Sequence, residues 1–171
     1  MPALKVFQQS SSSEPTTTII TQSLAIIEFL DSYHNNGIPR LLPTDPFKRA
    51  RVQEIVYSIA CDIHPVQNLR VLQTYPEEAR HARGKEVVET GLRAIERLVG
   101  REGRCCVGEE VTLADVLLAP QVHVALRFAV DVSQFPRILA IYEYLMTLPA
   151  FENTRPEIQP DAPQETQRNC Q

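Results

Sequence analysis

A polar pair, Gln22-Ser23, directly precedes an apolar run in which Leu24, Ile27 and Leu30 recur at helical spacing. The pattern predicts a helix that Ser23 caps. Backbone N–H groups in the first turn of a helix have no intrahelical acceptor, and the helix dipole is positive there. Together with the Ser23 hydroxyl they form a site that suits a carboxylate. An ordinary capped core helix is the alternative, because it produces the same pattern.

A second group of polar side chains is predicted at a bend in another helix. If Pro65 only kinks that helix, His64, Gln67 and Asn68 lie on one face, because they are spaced at i, i+3 and i+4. Arg70 follows, and a guanidinium suits a ligand that carries carboxylates. A lone helical histidine is more often structural, but four polar residues beside a bend favour a binding role.

Other reactive residues do not form a recognisable catalytic or metal-binding set. The sequence contains no Gly-x-Ser-x-Gly, no phosphate-binding glycine loop and no His-Glu-x-x-His. Its four cysteines lack metal-ligand spacing. Cys61, Cys105 and Cys106 are expected to be reduced and mostly packed, and Cys170 to be an exposed thiol in a polar tail. Arg127 ends an apolar helical stretch, which is typical of an arginine that extends its charge toward water.

The part of the chain before residue 45 is predicted to contain a hairpin and the Gln22-Ser23 helix. Strand candidates at about 4–7 and 18–21 flank a low-complexity Ser/Thr-rich loop at 8–18. A two-stranded hairpin is marginal alone, so it needs a helix or a further strand to cover it.

From residue 45 onward the pattern is helical. Asp45 is predicted to cap a helix with Pro46 in its first turn. Further helices are predicted from Pro76, from about 113 to 129, and from near Pro136. The predicted buried stripes of these helices consist of Val52, Val56, Ile59, Ile63, Leu69, Leu72, Val88, Leu92, Ile95, Val99, Ile138, Ile141 and Leu145.

The clearest helix start is a variant of the capping box. Thr112 and Asp115 are placed to bond each other's backbone, and Val111 and Val116 are placed as a hydrophobic staple. This arrangement is a folding element, and it predicts that loss of the Asp115 carboxylate destabilises the protein.

Bulk composition narrows the possible classes. The chain has 171 residues, 43% hydrophobic content and a net charge of −4, which argues against a protein driven by phosphate contacts to nucleic acid. No apolar stretch approaches the roughly 20 residues that span a bilayer, and the first residues lack the pattern of a secretory signal. A soluble cytoplasmic protein without a membrane partner is expected.

These motifs carry a family resemblance. The strand start at 1–3, the Gln22-Ser23 helix and the sequence at 40–43 follow one another in an order that resembles the end of the thioredoxin-like lobe of a glutathione transferase. The amino-acid sequence at 22–30 is similar to that of the zeta class, the maleylacetoacetate isomerases. Residues 112–115 match the Thr-x-Ala-Asp helix start of the C-terminal domain in these proteins. The resemblance extends from Met1 to about residue 164.

The resemblance implies a mainly α fold. An all-α glutathione-transferase C-terminal domain at 46–152 would follow a remnant, hairpin plus helix, of a thioredoxin-like α/β lobe at 1–36. A linker is expected at 37–45, and a polar Pro-rich tail, as a strap or as disorder, at 153–171.

The resemblance also implies a glutathione site. The segment at 63–69 is similar to an Ile-x-Pro-x-x-Asn-Leu stretch that lines the tripeptide, although some members carry Gln or Ser in place of His64 and Arg70. Arg127 matches an arginine that faces the substrate pocket. The residues implied to hold glutathione are Gln22 and Ser23, at its γ-glutamyl carboxylate, and His64, Asn68, Leu69 and Arg70, along the peptide.

The implied activity is glutathione-dependent cis–trans isomerisation of maleylacetoacetate, a small diketo acid, to fumarylacetoacetate in tyrosine and phenylalanine breakdown, by a homodimeric enzyme. In the family a Ser-Ser-Cys motif stabilises the glutathione thiolate, and this sequence contains none. We therefore expect a truncated, weakly active chain and assign no catalytic residue. A non-catalytic helical binding or interaction module is the alternative.

Overall fold

The computed structural model of the protein describes residues 2–10, 13–33 and 40–162. The chain divides into two compact units, Met1–Thr44 and Asp45–Gln171. Within the described residues, the first contains two strands and one helix, and the second is helical. This confirms the predicted fold class, a mainly α protein with a small remnant of an α/β lobe.

The first unit is an antiparallel hairpin followed by a helix. Strands β1 (Ala3–Ser10) and β2 (Ser13–Thr21) pair with Lys5 opposite Ile19 and Phe7 opposite Thr17, and helix α1 spans Ser23–Tyr33. The predicted loop at 8–18 is therefore wrong, because the strands run through most of it. Its threonines are β-branched, and β-branched residues favour extended backbone, so composition alone did not make this segment a loop.

In the second unit, residues 45–162 form seven helices and connecting turns. They are α2 (Pro46–Tyr57), a π-helical turn (Ser58–Ile63), α3 (His64–Gln67), α4 (Leu69–Leu72), α5 (Glu77–Leu98), α6 (Leu113–Arg127), a 3-10 turn (Val132–Gln134), α7 (Pro136–Met146), α8 (Pro149–Glu152) and a second 3-10 turn (Pro156–Ile158).

The core of this unit forms from the stripes that periodicity predicts. Twelve of the thirteen predicted inward residues are buried, each with no more than 5% of its surface exposed. Leu69 is the exception and is 68% exposed, because the backbone of Asn68 ends α3 and the helical periodicity does not continue through it. Asp45 caps α2 by accepting the N–H of Lys48 at 2.8 Å, with Pro46 in the first turn. Local spacing and capping residues thus account for where these helices begin and what they bury.

Asp115 anchors the start of α6 and the loop before it. The capping box with Thr112 is present. The Asp115 carboxylate is fully buried and accepts three hydrogen bonds, from the N–H and the hydroxyl of Thr112, both at 2.8 Å, and from the N–H of Cys106 at 2.7 Å. One side chain therefore fixes both a helix end and the loop at 105–106.

Side-chain hydrogen bonds join the last turn of α5 and the loop after it to the start of α7. Glu96 accepts the backbone N–H groups of Arg137 and Ile138 at 2.9 and 3.0 Å. The Arg137 guanidinium donates to the carbonyl oxygens of Gly100 and Gly103. Unpaired N–H groups at the start of α7 are thus satisfied, and α7 is tied to the loop that follows α5. Among the described residues, no helix has the length and apolar character of a membrane span.

The described part of the predicted tail lies against the helices. The Oε1 atom of Glu157, in the second 3-10 turn, is 3.2 Å from the Nδ1 atom of His123 in α6. Both side chains are largely buried. Gln159 donates to the carbonyl oxygens of Asn153 and Arg155. This segment, up to residue 162, therefore has the character of a strap, and the remainder of the tail lies outside the described residues.

Candidate functional site

The start of α1 has a different cap from the predicted one. The carbonyl oxygen of Gln22 accepts the N–H of Ile26 at 3.0 Å, so Gln22 occupies the N-cap position and Ser23 is the first residue of the helix. Gln22 has a φ of 74°, in the left-handed region that non-glycine residues rarely adopt. Such strained positions cluster at binding sites. Ser23 is exposed at a helix end whose backbone N–H groups suit a carboxylate.

A π-helical turn, rather than a simple proline kink, carries the chain into the second polar group. The N–H of His64 bonds the carbonyl oxygen of Ile59, five residues back. Turns of this kind are frequent at functional sites. The turn lies close to α5 because Gly91 has no side chain: a Cβ atom there would be 2.3 Å from the Cδ1 atom of Ile63.

Two glutamine side chains, one following this turn and one opposite it, are joined by hydrogen bonds. The Nε2 atom of Gln67 donates to the Oε1 atom of Gln121 at 3.2 Å, and the Nε2 atom of Gln121 donates back to the Oε1 atom of Gln67 at 3.0 Å. Gln121 is fully buried, whereas His64 remains accessible to solvent. The structure thus brings His64 and Gln67 together as predicted and adds Gln121.

The electrostatic state of His64 follows from its surroundings. Burial of the ring lowers the pKa of His64 below its ordinary value, because packing disfavours the charged imidazolium, and the hydrogen bond with Gln121 acts in the opposite direction. The ring is therefore neutral at neutral pH, with one nitrogen able to accept a hydrogen bond.

Asn68 does not share a helical face with His64 and Gln67, contrary to the prediction. Its ψ of 137° ends α3, and its side chain caps α4 by accepting the N–H of Arg70 at 3.0 Å. The physical reason is that an asparagine which can cap the next helix competes with helix continuation. Asn68, Leu69 and Arg70 are all exposed. These three residues come directly after Gln67 in the sequence, and their side chains are accessible to solvent.

The remaining residues singled out in the sequence are Arg127 and the cysteines. Arg127 is the last residue of α6 and is exposed. Cys61 is also exposed, so its predicted packing is wrong: it lies on the outer side of the π-helical turn. Cys105 and Cys106 are buried, and burial raises the pKa of Cys105 to about 11. Such thiols are unreactive at neutral pH. Cys170 lies outside the described residues.

Gln121 escaped prediction from the sequence. It follows Pro120 inside a mostly apolar helix. The one feature of the sequence that could have indicated its role is an amide side chain within a stripe of apolar residues. Its partner Gln67 is 54 residues away, so no local pattern joins them. Within the described ranges, no three His, Cys, Asp or Glu side chains are grouped so as to hold a metal ion.

Known proteins resemble this chain over most of its length, although no protein-family model matches it. The maleylacetoacetate isomerase of Mus musculus is 45% identical over 147 residues, which cover 85% of this chain and 67% of that protein. A probable maleylacetoacetate isomerase of Vibrio cholerae is 39% identical over 150 residues, covering 84% of this chain and 69% of the relative.

Solved structures give the same answer. A maleylacetoacetate isomerase from Anaeromyxobacter dehalogenans, with bound dicarboxyethyl glutathione and citrate, superimposes with a TM-score of 0.85 at 32% identity and covers 98% of this chain and 74% of its own. A glutathione S-transferase from Legionella pneumophila gives a TM-score of 0.76 at 40% identity, with 83% and 79% of the two chains covered. The chain belongs to the maleylacetoacetate isomerase family, within the zeta class of glutathione transferases.

Proposed function

We propose that the protein is a glutathione-dependent isomerase that converts maleylacetoacetate to fumarylacetoacetate. The observation that carries the proposal is the 45% identity to a maleylacetoacetate isomerase over 85% of the chain. The proposed substrate is a small diketo acid. We also propose, from the family resemblance, that the protein is cytoplasmic and homodimeric.

Glutathione fits the chemistry of the described residues. Solved relatives hold glutathione itself or dicarboxyethyl glutathione. In this chain the exposed N-terminus of α1 suits a carboxylate, and the exposed guanidinium of Arg70 suits a second one. His64 offers a neutral ring to a peptide N–H group. When bound, glutathione supplies the thiol that adds to the cis double bond of the substrate.

Each proposed ligand has a distinct task. Gln22 and Ser23 hold the γ-glutamyl carboxylate at the start of α1, and the left-handed backbone of Gln22 directs the first turn toward it. His64 and the exposed residues that follow it, Asn68, Leu69 and Arg70, line the peptide. Arg127 binds a carboxylate of the diketo acid through its planar guanidinium.

The activity test is conversion of maleylacetoacetate by the 171-residue polypeptide. We expect fumarylacetoacetate to form only when reduced glutathione is present, and more slowly than with the mouse relative assayed in parallel. The rate is expected to be low because the 171 residues contain no Ser-Ser-Cys sequence to lower the pKa of the thiol. That same absence favours the second candidate, a non-catalytic glutathione-binding module. Binding of glutathione without any conversion would establish that module instead.

A Ser23→Ala variant is expected to bind glutathione about tenfold more weakly, since a hydrogen bond to a charged group contributes roughly 1.5 kcal/mol. Titration calorimetry with reduced glutathione measures the dissociation constant. Ser32→Ala is the matched control, because Ser32 is an exposed serine within the same helix. Equal affinities for the parent and Ser23→Ala would remove Ser23 from the site.

A further inference from the structure

We propose that Phe128 is a positioning residue for Arg127: its ring, seated on the backbone of α5 at Gly84, fixes the last turn of α6 and the direction in which the Arg127 guanidinium meets a substrate carboxylate. The inference rests on the proposed function, because Arg127 is the proposed ligand of the diketo acid. It deepens that function by assigning a task to a phenylalanine and a glycine that act through the arginine.

The ring of Phe128 lies directly against the backbone of α5. A Cβ atom added to Gly84 would lie within 2.8 Å of the Cδ1, Cε1 and Cζ atoms of this ring. Carbon atoms in contact are normally about 3.5–4.0 Å apart, so only a glycine allows this approach. One turn earlier on α5, the ring of His81 lies beside that of Phe128, with ring centroids 5.7 Å apart and planes tilted by 53°. Two neighbours on one face of α5 thus hold the ring.

The backbone itself closes the end of α6. Ala129 has a φ of 51°, the left-handed conformation that glycine usually supplies just after a helix. The N–H of Val130 bonds the carbonyl oxygen of Ala125 at 3.0 Å. The N–H of Ala129 bonds that of Leu126, also at 3.0 Å, and the two bonds together form a Schellman motif. Because Val130 and Ala125 are buried, the chain is anchored on both sides of Phe128.

This closure leaves the Arg127 side chain available to a ligand. An arginine in the last turn of a helix can donate to the unpaired carbonyl oxygens there. In α6 the carbonyl oxygens of Val124, Ala125 and Leu126 already accept backbone N–H groups of residues 128–130. In the part of the chain that the structure describes, the exposed Arg127 guanidinium makes neither an ion pair nor a hydrogen bond. An unpaired guanidinium on a fixed helix end suits a carboxylate.

Left-handed backbone supports a functional reading of this helix end. Within residues 2–10, 13–33 and 40–162, the non-glycine residues with a positive φ are Gln22 and Ala129. Gln22 directly precedes Ser23, the proposed ligand of the γ-glutamyl carboxylate, and Ala129 follows Arg127 by two positions. Such conformations are costly and cluster at binding sites, which favours a constraint on the position of Arg127.

The test compares the binding of two ligands by titration calorimetry. Dicarboxyethyl glutathione carries two carboxylates on the group attached to its sulfur atom, and glutathione lacks them. The ratio of the two dissociation constants therefore measures the preference for these carboxylates. Arg127→Met is expected to lower the preference about tenfold, through loss of a hydrogen bond to a charged group. Gly84→Ala is expected to lower it about fivefold, because the added methyl group displaces the Phe128 ring and Arg127 with it.

A double variant separates positioning from a general structural effect. If Gly84 acts through Arg127, Gly84→Ala should leave the preference unchanged in a chain that already carries Arg127→Met. Gly91→Ala is the matched control, because it overpacks the same helix at another place. It is expected to weaken the binding of both ligands alike and so to keep the preference. If Gly84→Ala does not fold, Phe128→Leu withdraws the ring without adding an atom to α5 and should lower the preference in the same way.

Each result decides the proposal. A fall in the preference with Gly84→Ala in the parent, and no further fall in the Arg127→Met chain, supports it. If Arg127→Met lowers the preference but Gly84→Ala does not, or if Gly84→Ala lowers it equally in both chains, this proposal alone is overturned. A parent that binds neither ligand, or whose preference ignores Arg127→Met, would overturn the proposed function of the site and this proposal with it.

Discussion

Replacement of Asp115 by alanine is expected to lower the free energy of unfolding by about 3 kcal/mol, because it leaves three buried donors without their acceptor. For a chain of this length the midpoint of thermal unfolding should fall by roughly 6 to 12 °C. Calorimetry measures both quantities. The loop that holds Cys105 and Cys106 loses its anchor in the same variant, so these buried thiols should also become reactive toward a thiol reagent.

Asp131→Ala is the matched control for this prediction. Asp131 also accepts a backbone N–H and a hydroxyl, both from Ser133, but it is exposed. Water can replace an exposed acceptor, so the loss of stability should be much smaller than at Asp115. Similar losses for the two variants would show that burial of the Asp115 carboxylate is not what makes it important.

Gly91→Ala is expected to destabilise the protein by about 2 kcal/mol, since overpacking a core typically costs 1–3 kcal/mol. The added methyl group would meet the Cδ1 atom of Ile63 at 2.3 Å, and Ile63 has only 1% of its surface exposed, so it has no solvent-side space to move into. We expect relief of the clash to shift the π-helical turn that ends at His64. Weaker binding of glutathione should therefore accompany the loss of stability, as calorimetry and chemical denaturation can measure.

A double-mutant cycle tests the cause of that effect. Ile63→Ala alone should cost 2–5 kcal/mol through the cavity it leaves, and the methyl group of Gly91→Ala should partly fill it. The double variant should therefore lose less than the sum of the two single losses. Strict additivity would contradict the proposed contact. Gly84→Ala on the same helix should cost less, because its neighbour Phe128 is only partly buried and its ring can move outward.

Local rules predicted most of the helical unit. The stripe from Val52 to Ile63 and the helix start at Asp45-Pro46 each depend on residues within a few turns of one another. Periodicity and capping residues are therefore enough to predict them. The capping box at Thr112 and Asp115 is local in the same way. What local rules could not supply was the third partner of Asp115, the N–H of Cys106, which depends on the path of a loop.

The errors arose where distant contacts or competing local bonds decide the structure. The pairing of Gln67 with Gln121 joins two helices, and the residues next to either glutamine in the sequence do not indicate its partner. Asn68 ends a helix because capping the next one competes with continuing the first. The π-helical turn lies against Gly91, a residue of another helix, so the residues of the turn itself do not predict it. The candidate site is therefore the least predictable part of the helical unit.

The described part of the first unit contains almost no fully buried side chains. Among the described residues of Met1–Thr44 only Leu42 is buried, and α1 buries none of its side chains completely. Segments with few buried contacts open at low free-energy cost. Any ligand held at Ser23 would therefore bind only those molecules in which the first unit is folded. Its apparent affinity would be lowered in proportion to the fraction of such molecules. By mass action, glutathione would then act on the hairpin and α1 as a folding partner as well as a ligand.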